Sequence, residues 1–217
     1  METASNDVID HPHYRVTLEQ GARLVPGNIG NAVSLQGGGE YVDLGEHMDK
    51  CMANLDVCGQ GITMAMLLKP ESLKTNQYFI SSPTYSLYMQ NGQLKADFFS
   101  SGKHWNVTSR EFLLNDWNNV VLSWNKDSGL EMYLDDKLVD RNTKPEEMVQ
   151  GDARAAGSVY IGKSSDTVDA DTAEMMADEV QYWYADLSKL KARGLFKGRS
   201  WSINGDLRLS MLFSALL

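Results

Sequence analysis

The sequence predicts an all-β protein, a two-sheet antiparallel β-sandwich, and three observations carry that expectation. Short apolar segments follow one another at close spacing. Most alternate apolar with polar residues, the period of a strand with one face on a core. Eighteen glycines and only five prolines punctuate them, and a single short segment, 188–193, has helical period.

The first strand, 32–35, follows the turn Gly27-Asn28-Ile29-Gly30. After three consecutive glycines, 41–44 alternates with Val42 and Leu44 on one face. In 61–69, Ile62, Met64, Met66 and Leu68 share one face, and Thr63, Ala65 and Leu67 the other. Both faces are largely apolar, so this is a central strand. The stretches 78–80, 85–89 and 93–99 come next, the last two joined by Asn91-Gly92, a pair that tolerates positive φ and marks a hairpin. A short strand is expected at 105–108. Segment 117–124 sets Val120, Leu122 and Trp124 against Asn119, Val121 and Ser123, then turns through Lys126-Asp127-Ser128-Gly129 into 130–134. The pair Asp135-Asp136 leads into 137–140, and 159–162 and 179–184 complete the series. A short helix is expected at 188–193, with Asp186 or Ser188 at its start, Gly194 at its end, and Leu187, Leu190 and Leu195 on one side. Residues 1–16 read as an N-terminal arm and 17–196 as the sandwich. Residues 197–217 read as an extension whose apolar part, 207–213, is either an edge strand or a ragged gene end.

Composition narrows the function. The chain has 217 residues, 42% of them hydrophobic, enough for one domain with a sizeable core. Twenty Lys and Arg face 29 Asp and Glu, a net charge of -9. The densest basic cluster is Lys189-x-Lys191-x-Arg193. That balance argues against nucleic acid and anionic membranes as partners, because phosphate binding depends on a basic face. The longest apolar runs, 61–68 and 211–217, fall short of the roughly 20 residues of a spanning helix. Residues 1–15 show no secretory signal, so the chain is either cytoplasmic or a module of a longer precursor.

The order of segments resembles the laminin G-like, concanavalin A-like superfamily, in particular its pentraxin-related variant. Residues 28–45, with Gly30-Asn31-Ala32, the glycine loop and Tyr41-Val42, look like its opening hairpin. Segment 61–70 is similar to the strand that follows, with Leu67 or Leu68 where the family usually has tryptophan. Segments 116–124 and 129–139 match the paired strands opened by Trp and turned by Asn-Gly, here Asp135-Asp136. Segments 159–162, 177–183 and 185–188 look like the closing strands and terminal helix. The resemblance covers residues 17–196. It implies a jelly-roll β-sandwich with a short C-terminal helix. It also implies a non-catalytic module that binds carbohydrate, matrix or cell-surface protein within an extracellular or membrane-anchored adhesion protein.

The candidate residues each have a plainer reading. Cys51 and Cys58 are either free thiols or, as the resemblance implies, a disulfide pinning a loop in an oxidising compartment. Asn106-Val107-Thr108 is the one Asn-x-Ser/Thr sequon, with Asn106 the acceptor if the module is secreted and the loop exposed. The acidic run through Asp166, Asp169, Asp171, Glu174, Asp178 and Glu179 is either a solvated loop or part of a rim calcium site, hard oxygen ligands suiting that ion. Asp43 and Asp178 are the calcium ligands that the resemblance singles out. Trp117, Trp124 and Trp183 read as core. Trp105, beside His104 and Asn106, and Tyr85 are the aromatics expected at the surface, where they would stack on sugar. A glycoside hydrolase would need two carboxylates on one strand face, and the Glu-x-Asp-x-x-Glu strand of laminarinase-type enzymes is absent. No nucleotide-binding loop or Ser-His-Asp set is present. The function expected is therefore ligand recognition by rim loops on a rigid sandwich. A ligandless spacer is the alternative, and a carbohydrate-active hydrolase the third.

Overall fold

The computed structural model describes residues 8–11, 14–73, 76–148, 157–166, 172–186 and 208–211. The strands are β1 (Val8–His11), β2 (Tyr14–Glu19), β3 (Arg23–Pro26), β4 (Asn31–Gln36), β5 (Tyr41–Glu46), β6 (Ile62–Pro70), β7 (Gln77–Ser82), β8 (Tyr85–Gln90) and β9 (Gln93–Ser100). They continue with β10 (Lys103–Ser109), β11 (Asn118–Asn125), β12 (Gly129–Leu134), β13 (Lys137–Asn142), β14 (Glu146–Glu147), β15 (Ser158–Ile161), β16 (Glu174–Trp183) and β17 (Arg208–Met211). A single 3-10 turn, Leu55–Val57, is the one helical element among the described residues. The helix expected at 188–193 lies outside them.

The strands form the two antiparallel sheets of a jelly-roll sandwich. One sheet runs β1-β2-β5-β15-β7-β8-β9-β10-β14, and the other β13-β12-β11-β6-β16-β4-β3. β6 is the middle strand of the second order, paired with β11 on one side and β16 on the other. Ile62, Met64, Met66 and Leu68 join the core, as do Val120, Leu122 and Trp124 of β11 and Leu130, Met132 and Leu134 of β12. The facing sheet contributes Val42, Leu44, Phe79, Leu87, Met89, Leu94, Ala96 and Phe98. Alternation along each strand sends one side chain in and the next out, so one register serves a whole layer.

Three two-residue hairpins organise the strands. Asn91-Gly92 has φ 53 and 71, Ser101-Gly102 has 51 and 73, and Asp135-Asp136 has 46 and 70. Both central residues are left-handed in each, the backbone that matches the twist of the flanking strands. Asp135 also accepts the Asn119 N–H at 2.9 Å, which ties its turn to the start of β11.

Two observations concern the ends of the chain. The boundary between arm and sandwich at 16/17 falls inside β2, whose Val16 and Leu18 are buried on the core. The alternation of Tyr14, Val16 and Leu18 with Arg15 and Thr17 is the signal that shows the strand. In the extension, 208–211 forms an edge strand on the C-terminal half of β16, pairing Val180–Trp183. β4 pairs the N-terminal half, 174–177, so β17 stands where β4 leaves off.

β16 is also less regular than an alternating strand. Its register against β6 shifts between Asp178 and Gln181, and Glu179 has φ 50. The bulge changes the phase of alternation, so Met175 and Ala177 before it and Val180 and Tyr182 after it all reach the core.

Glycine is required where the β11–β12 turn closes. Gly129 has φ 90, and a Cβ there would collide with the Asn142 carbonyl oxygen of neighbouring β13. At Gly92, φ 71, a Cβ would meet nothing within 4 Å. Gly92→Ala is expected to cost about 1 kcal/mol of left-handed strain alone. Gly129→Ala adds overpacking to the strain, for a loss of about 3 kcal/mol. Urea midpoints of the two variants check the difference, and equal losses would contradict it.

Candidate functional site

At one end of the sandwich the turn after β11, the end of β13 and the residues beyond β16 enclose an open cleft of about 450 Å³. Asn125, Asp127, Ser128, Arg141, Thr143 and Asp186 line it. Its floor comes from register. Ser123 of β11 lies opposite Thr63 of β6, both facing away from the core, with their hydroxyl oxygens 2.8 Å apart. Ser123 Oγ donates to Asp186 Oδ1 at 2.9 Å, and Ser128 Oγ donates to Asp186 Oδ2 at 2.7 Å. The Asp186 N–H donates to the Gln60 carbonyl at 2.9 Å, and Thr63 Oγ1 donates to the Ala185 carbonyl at 2.8 Å. The carboxylate is thus held by its backbone and on both oxygens. Asn125 Oδ1 accepts the Asp127 N–H at 2.9 Å, which shapes the turn beside it.

Arg141 brings a cation to the same cleft. Arg141 Nε lies 3.0 Å from Glu131 Oε1, and the Tyr133 hydroxyl donates to Glu131 Oε2 at 2.5 Å. Glu131 and Tyr133 alternate with Leu130, Met132 and Leu134 on β12, so they occupy the face away from the core, yet both are buried. Burial first, then the hydrogen bond to Glu131, pushes the Tyr133 phenol up. Tyr133 therefore stays the donor at neutral pH. The Arg141 side chain remains 45% exposed, its Nε anchored on Glu131, and the residue lines the cleft.

The aromatic residues expected at the surface are inside. Trp105 and Tyr85 are each 1% exposed, which corrects their assignment as ligand contacts. Trp105 alternates with outward-facing His104 and Asn106, sharing the core face with Val107, and packs edge-on against Trp124 at 5.3 Å. Tyr85 is in phase with Leu87 and Met89, and its hydroxyl meets that of Tyr182 from the other sheet at 3.0 Å. The polar neighbours in sequence are the opposite face of the same strands; the alternation itself is the signal that places both rings inside. Trp124 and Trp183 are buried as expected, and Trp117 is half-buried.

Asp43 lies on β5 of the first sheet and Asp178 on β16 of the second. Asp43 Oδ1 accepts the Gly45 N–H at 2.7 Å. Asp178 is fully buried at the bulge, its Oδ2 accepting the Ile29 N–H at 2.8 Å and its Oδ1 without a partner. No group of three or more His, Cys, Asp or Glu among the described residues could hold a metal ion. Asp169 and Asp171 lie outside those residues. Asn106 stands on the outward face of β10 rather than in a loop, half-buried, its carbonyl accepting Asn142 Nδ2 at 3.1 Å.

Cys51 and Cys58 are joined in a disulfide. The loop they close carries Asp56, which accepts Ser100 Oγ at 2.8 Å and the Ser101 N–H at 2.6 Å, fastening it to the β9–β10 hairpin. His47 in the same segment is buried against the Leu44 carbonyl, and burial pushes its pKa down. His104 pairs with Asp97 at 2.7 Å on the outer face of the first sheet. Neither His47 nor His104 lines the cleft. No helix among the described residues is long and apolar enough to cross a membrane.

The laminin G family described as the concanavalin A-like lectin/glucanases superfamily matches residues 36–191. No curated protein matches the chain in sequence. Among solved structures, the receptor binding domain of botulinum neurotoxin C/D mosaic serotype superposes with a TM-score of 0.59 at 15% identity, over 81% of this chain and 44% of that one. Domain 4 of AbnA, a GH43 extracellular arabinanase from Geobacillus stearothermophilus, solved with arabinotriose, gives 0.58 at 15% identity over 82% and 80%. The botulinum neurotoxin serotype D ligand binding domain, solved with N-acetylneuraminic acid, gives 0.57 at 12% over 81% and 43%. The chain thus spans less than half the length of the toxin binding domains it resembles.

Two measurements test this framework. Replacing Cys51 and Cys58 together by serine is expected to lower stability by about 2 to 3 kcal/mol, the closure entropy of so short a loop, read from urea unfolding under oxidising conditions. Burial pushes the Asp178 carboxyl up, against the Ile29 N–H that favours its charged form. The native state therefore binds this proton more tightly than the unfolded chain, whose carboxyl titrates near 3.9. Its stabilising effect is complete below about that pH and is lost as pH rises through the native value. Asp178→Asn should consequently gain on the wild type as pH rises above about 4, and a stability difference independent of pH would contradict this.

Proposed function

Since this chain belongs to the concanavalin A-like lectin/glucanases superfamily, we propose that it is a non-catalytic carbohydrate-binding module of a larger extracellular or membrane-anchored protein, with the cleft beside the β11–β12 turn as its ligand site. The observation that carries this reading is the cleft's composition. It offers hydrogen-bond donors and acceptors together, with Arg141 held on Glu131 and Asp186 held by two serine hydroxyls, on loops anchored to rigid strands. Recognition of a polar ligand needs such groups fixed in advance.

Three further findings support it. Domain 4 of the Geobacillus stearothermophilus arabinanase, of nearly the same extent as this chain, was solved with arabinotriose. The serotype D toxin domain was solved with N-acetylneuraminic acid. The disulfide suits an oxidising compartment, as expected of a secreted module or ectodomain.

A glycan array probed with the purified, disulfide-bonded chain tests the proposal. Retention of at least one glycan, with no release of reducing sugar on prolonged incubation, is the expected outcome. An array with no retained glycan would sink it in favour of a spacer, and steady release of reducing ends would make the chain a hydrolase.

A further inference from the structure

We infer that Asn106 carries an N-linked glycan, and that the outer face of the first sheet, across the sandwich from the cleft, is the side it covers. The inference rests on the reading of the chain as part of an extracellular or membrane-anchored protein and adds a covalent modification to it. Asn106-Val107-Thr108 is a sequon, and on a strand its two working residues share one face, with Val107 between them on the other. Val107 is buried in the core, Asn106 is half-buried and Thr108 is exposed.

The sequon lies beyond the reach of β14, which pairs β10 at Lys103 and His104. Further along, side chains of β13 take over. The Thr108 N–H donates to Asp140 Oδ2 at 2.7 Å, and Asn142 Nδ2 donates to the Asn106 carbonyl at 3.1 Å. Asn106 is tied to β13 by its backbone, and that bond does not use its side-chain nitrogen. A sugar joined to the nitrogen therefore leaves both ties in place. It also lies beside a stretch of strand edge that no strand pairs among the described residues, the kind of edge that a sheet protein has to cover.

The neighbours suit a first sugar. His104 precedes Asn106 by two residues on the same face, about 7 Å away along the strand. Its ring stacks on Phe99 with centroids 4.5 Å apart, and its Nε2 lies 2.7 Å from Asp97 Oδ1. Asp97 stands opposite Asn106 in the β9–β10 register and also accepts the Tyr88 hydroxyl at 2.6 Å. An imidazole held in this way is a surface on which the apolar C–H face of a sugar can rest at little ordering cost. The cleft stays clear. Asn142 reaches toward β10, whereas Arg141 and Thr143 on either side of it in sequence line the cleft. Arg141 meets Glu131 on the face of the second sheet turned away from the core, so glycan and cleft occupy opposite faces of the sandwich.

The co-reactant is an oligosaccharide linked through diphosphate to a lipid carrier. The Asn106 side-chain nitrogen bonds to the anomeric carbon, the bond from that carbon to the diphosphate oxygen breaks, the lipid diphosphate leaves, and the amide gives up one proton. Nothing is oxidised or reduced.

The test is secretion of the full chain, behind a cleavable signal, from a eukaryotic cell that installs N-glycans. The secreted chain, with Cys51 and Cys58 joined, should carry a glycan that peptide N-glycosidase removes, and digestion in heavy-oxygen water should place the label at residue 106. Asn106→Gln and Thr108→Ala should each lose the glycan completely, and Thr108→Ser should keep it. Trimmed to its first sugar, the glycosylated chain should differ from Asn106→Gln in the NMR signals of the His104 ring and of the amides at 97 and 104–108. The amides at 125–129, beside the cleft, should not move.

A secreted, disulfide-bonded chain with a bare Asn106 would overturn the inference. Cleft amides that move with the glycan while the His104 ring does not would overturn its placement on the outer face. The glycan array separates these results from the carbohydrate reading: a chain bare at Asn106 that binds an array glycan keeps that reading, and a modified chain that binds none loses it while the inference stands. A chain that never reaches the medium folded counts against the extracellular reading and the inference together.

Discussion

Tyr85 and Tyr182 come from opposite sheets and meet hydroxyl to hydroxyl at 3.0 Å in the middle of the sandwich. Around them Phe98, Trp105 and Trp124 pack ring against ring, with centroids 5.3 to 6.3 Å apart. Two sheets that each present an apolar face must bury it against the other, and large rings supply much of the contact area. The hydroxyls of the two tyrosines partner each other, so this polar pair sits in the core without a stranded group. Once the inner faces are committed in this way, every alternate side chain on the same strands is committed to the outside.

The cleft is a by-product of that commitment. Thr63, Ser123, Glu131 and Tyr133 alternate with Met64, Leu122, Leu130 and Met132, and they cluster because β6, β11 and β12 are neighbours in register. Nothing local in the sequence brings Asp186 to Ser123 and Ser128. The carboxylate arrives because β16, on the other side of β6, ends beside the start of β6, and the Asp186 N–H finds the Gln60 carbonyl there. A rigid sheet carries the polar groups, and a short turn closed by Gly129 sets the width between them. The same logic gives Asp56 its place. The disulfide folds its loop back, and Asp56 then fastens that loop to the hairpin at Ser100 and Ser101.

Where the sequence misleads, it does so through neighbourhood. Trp105 stands between His104 and Asn106, and a polar neighbourhood suggests exposure; on a strand, adjacent residues face opposite ways. Asp178 and Glu179 are adjacent and acidic, which suggests a loop or a metal site. The structure places them at the edge of a bulge, Asp178 still paired with Leu67 and buried beneath the 27–30 turn, and Glu179 just after it with left-handed backbone.

The sequence by itself determines the class and most of the strands. Period-two alternation, Asn91-Gly92 and Asp135-Asp136 at tight turns, and the doubly apolar β6 are local properties, each legible within about ten residues. The cysteine pair is not of this kind: the sequence leaves free thiols open, and the structure joins Cys51 to Cys58. Only the tertiary structure decides which outward-facing side chains meet. Glu131 reaches Arg141 across a strand pair, and Asp186 reaches Ser123 and Ser128 across 63 and 58 residues of chain. Alternation specifies a side chain's face, but the order of strands in a sheet, set by long-range pairing, specifies its neighbours.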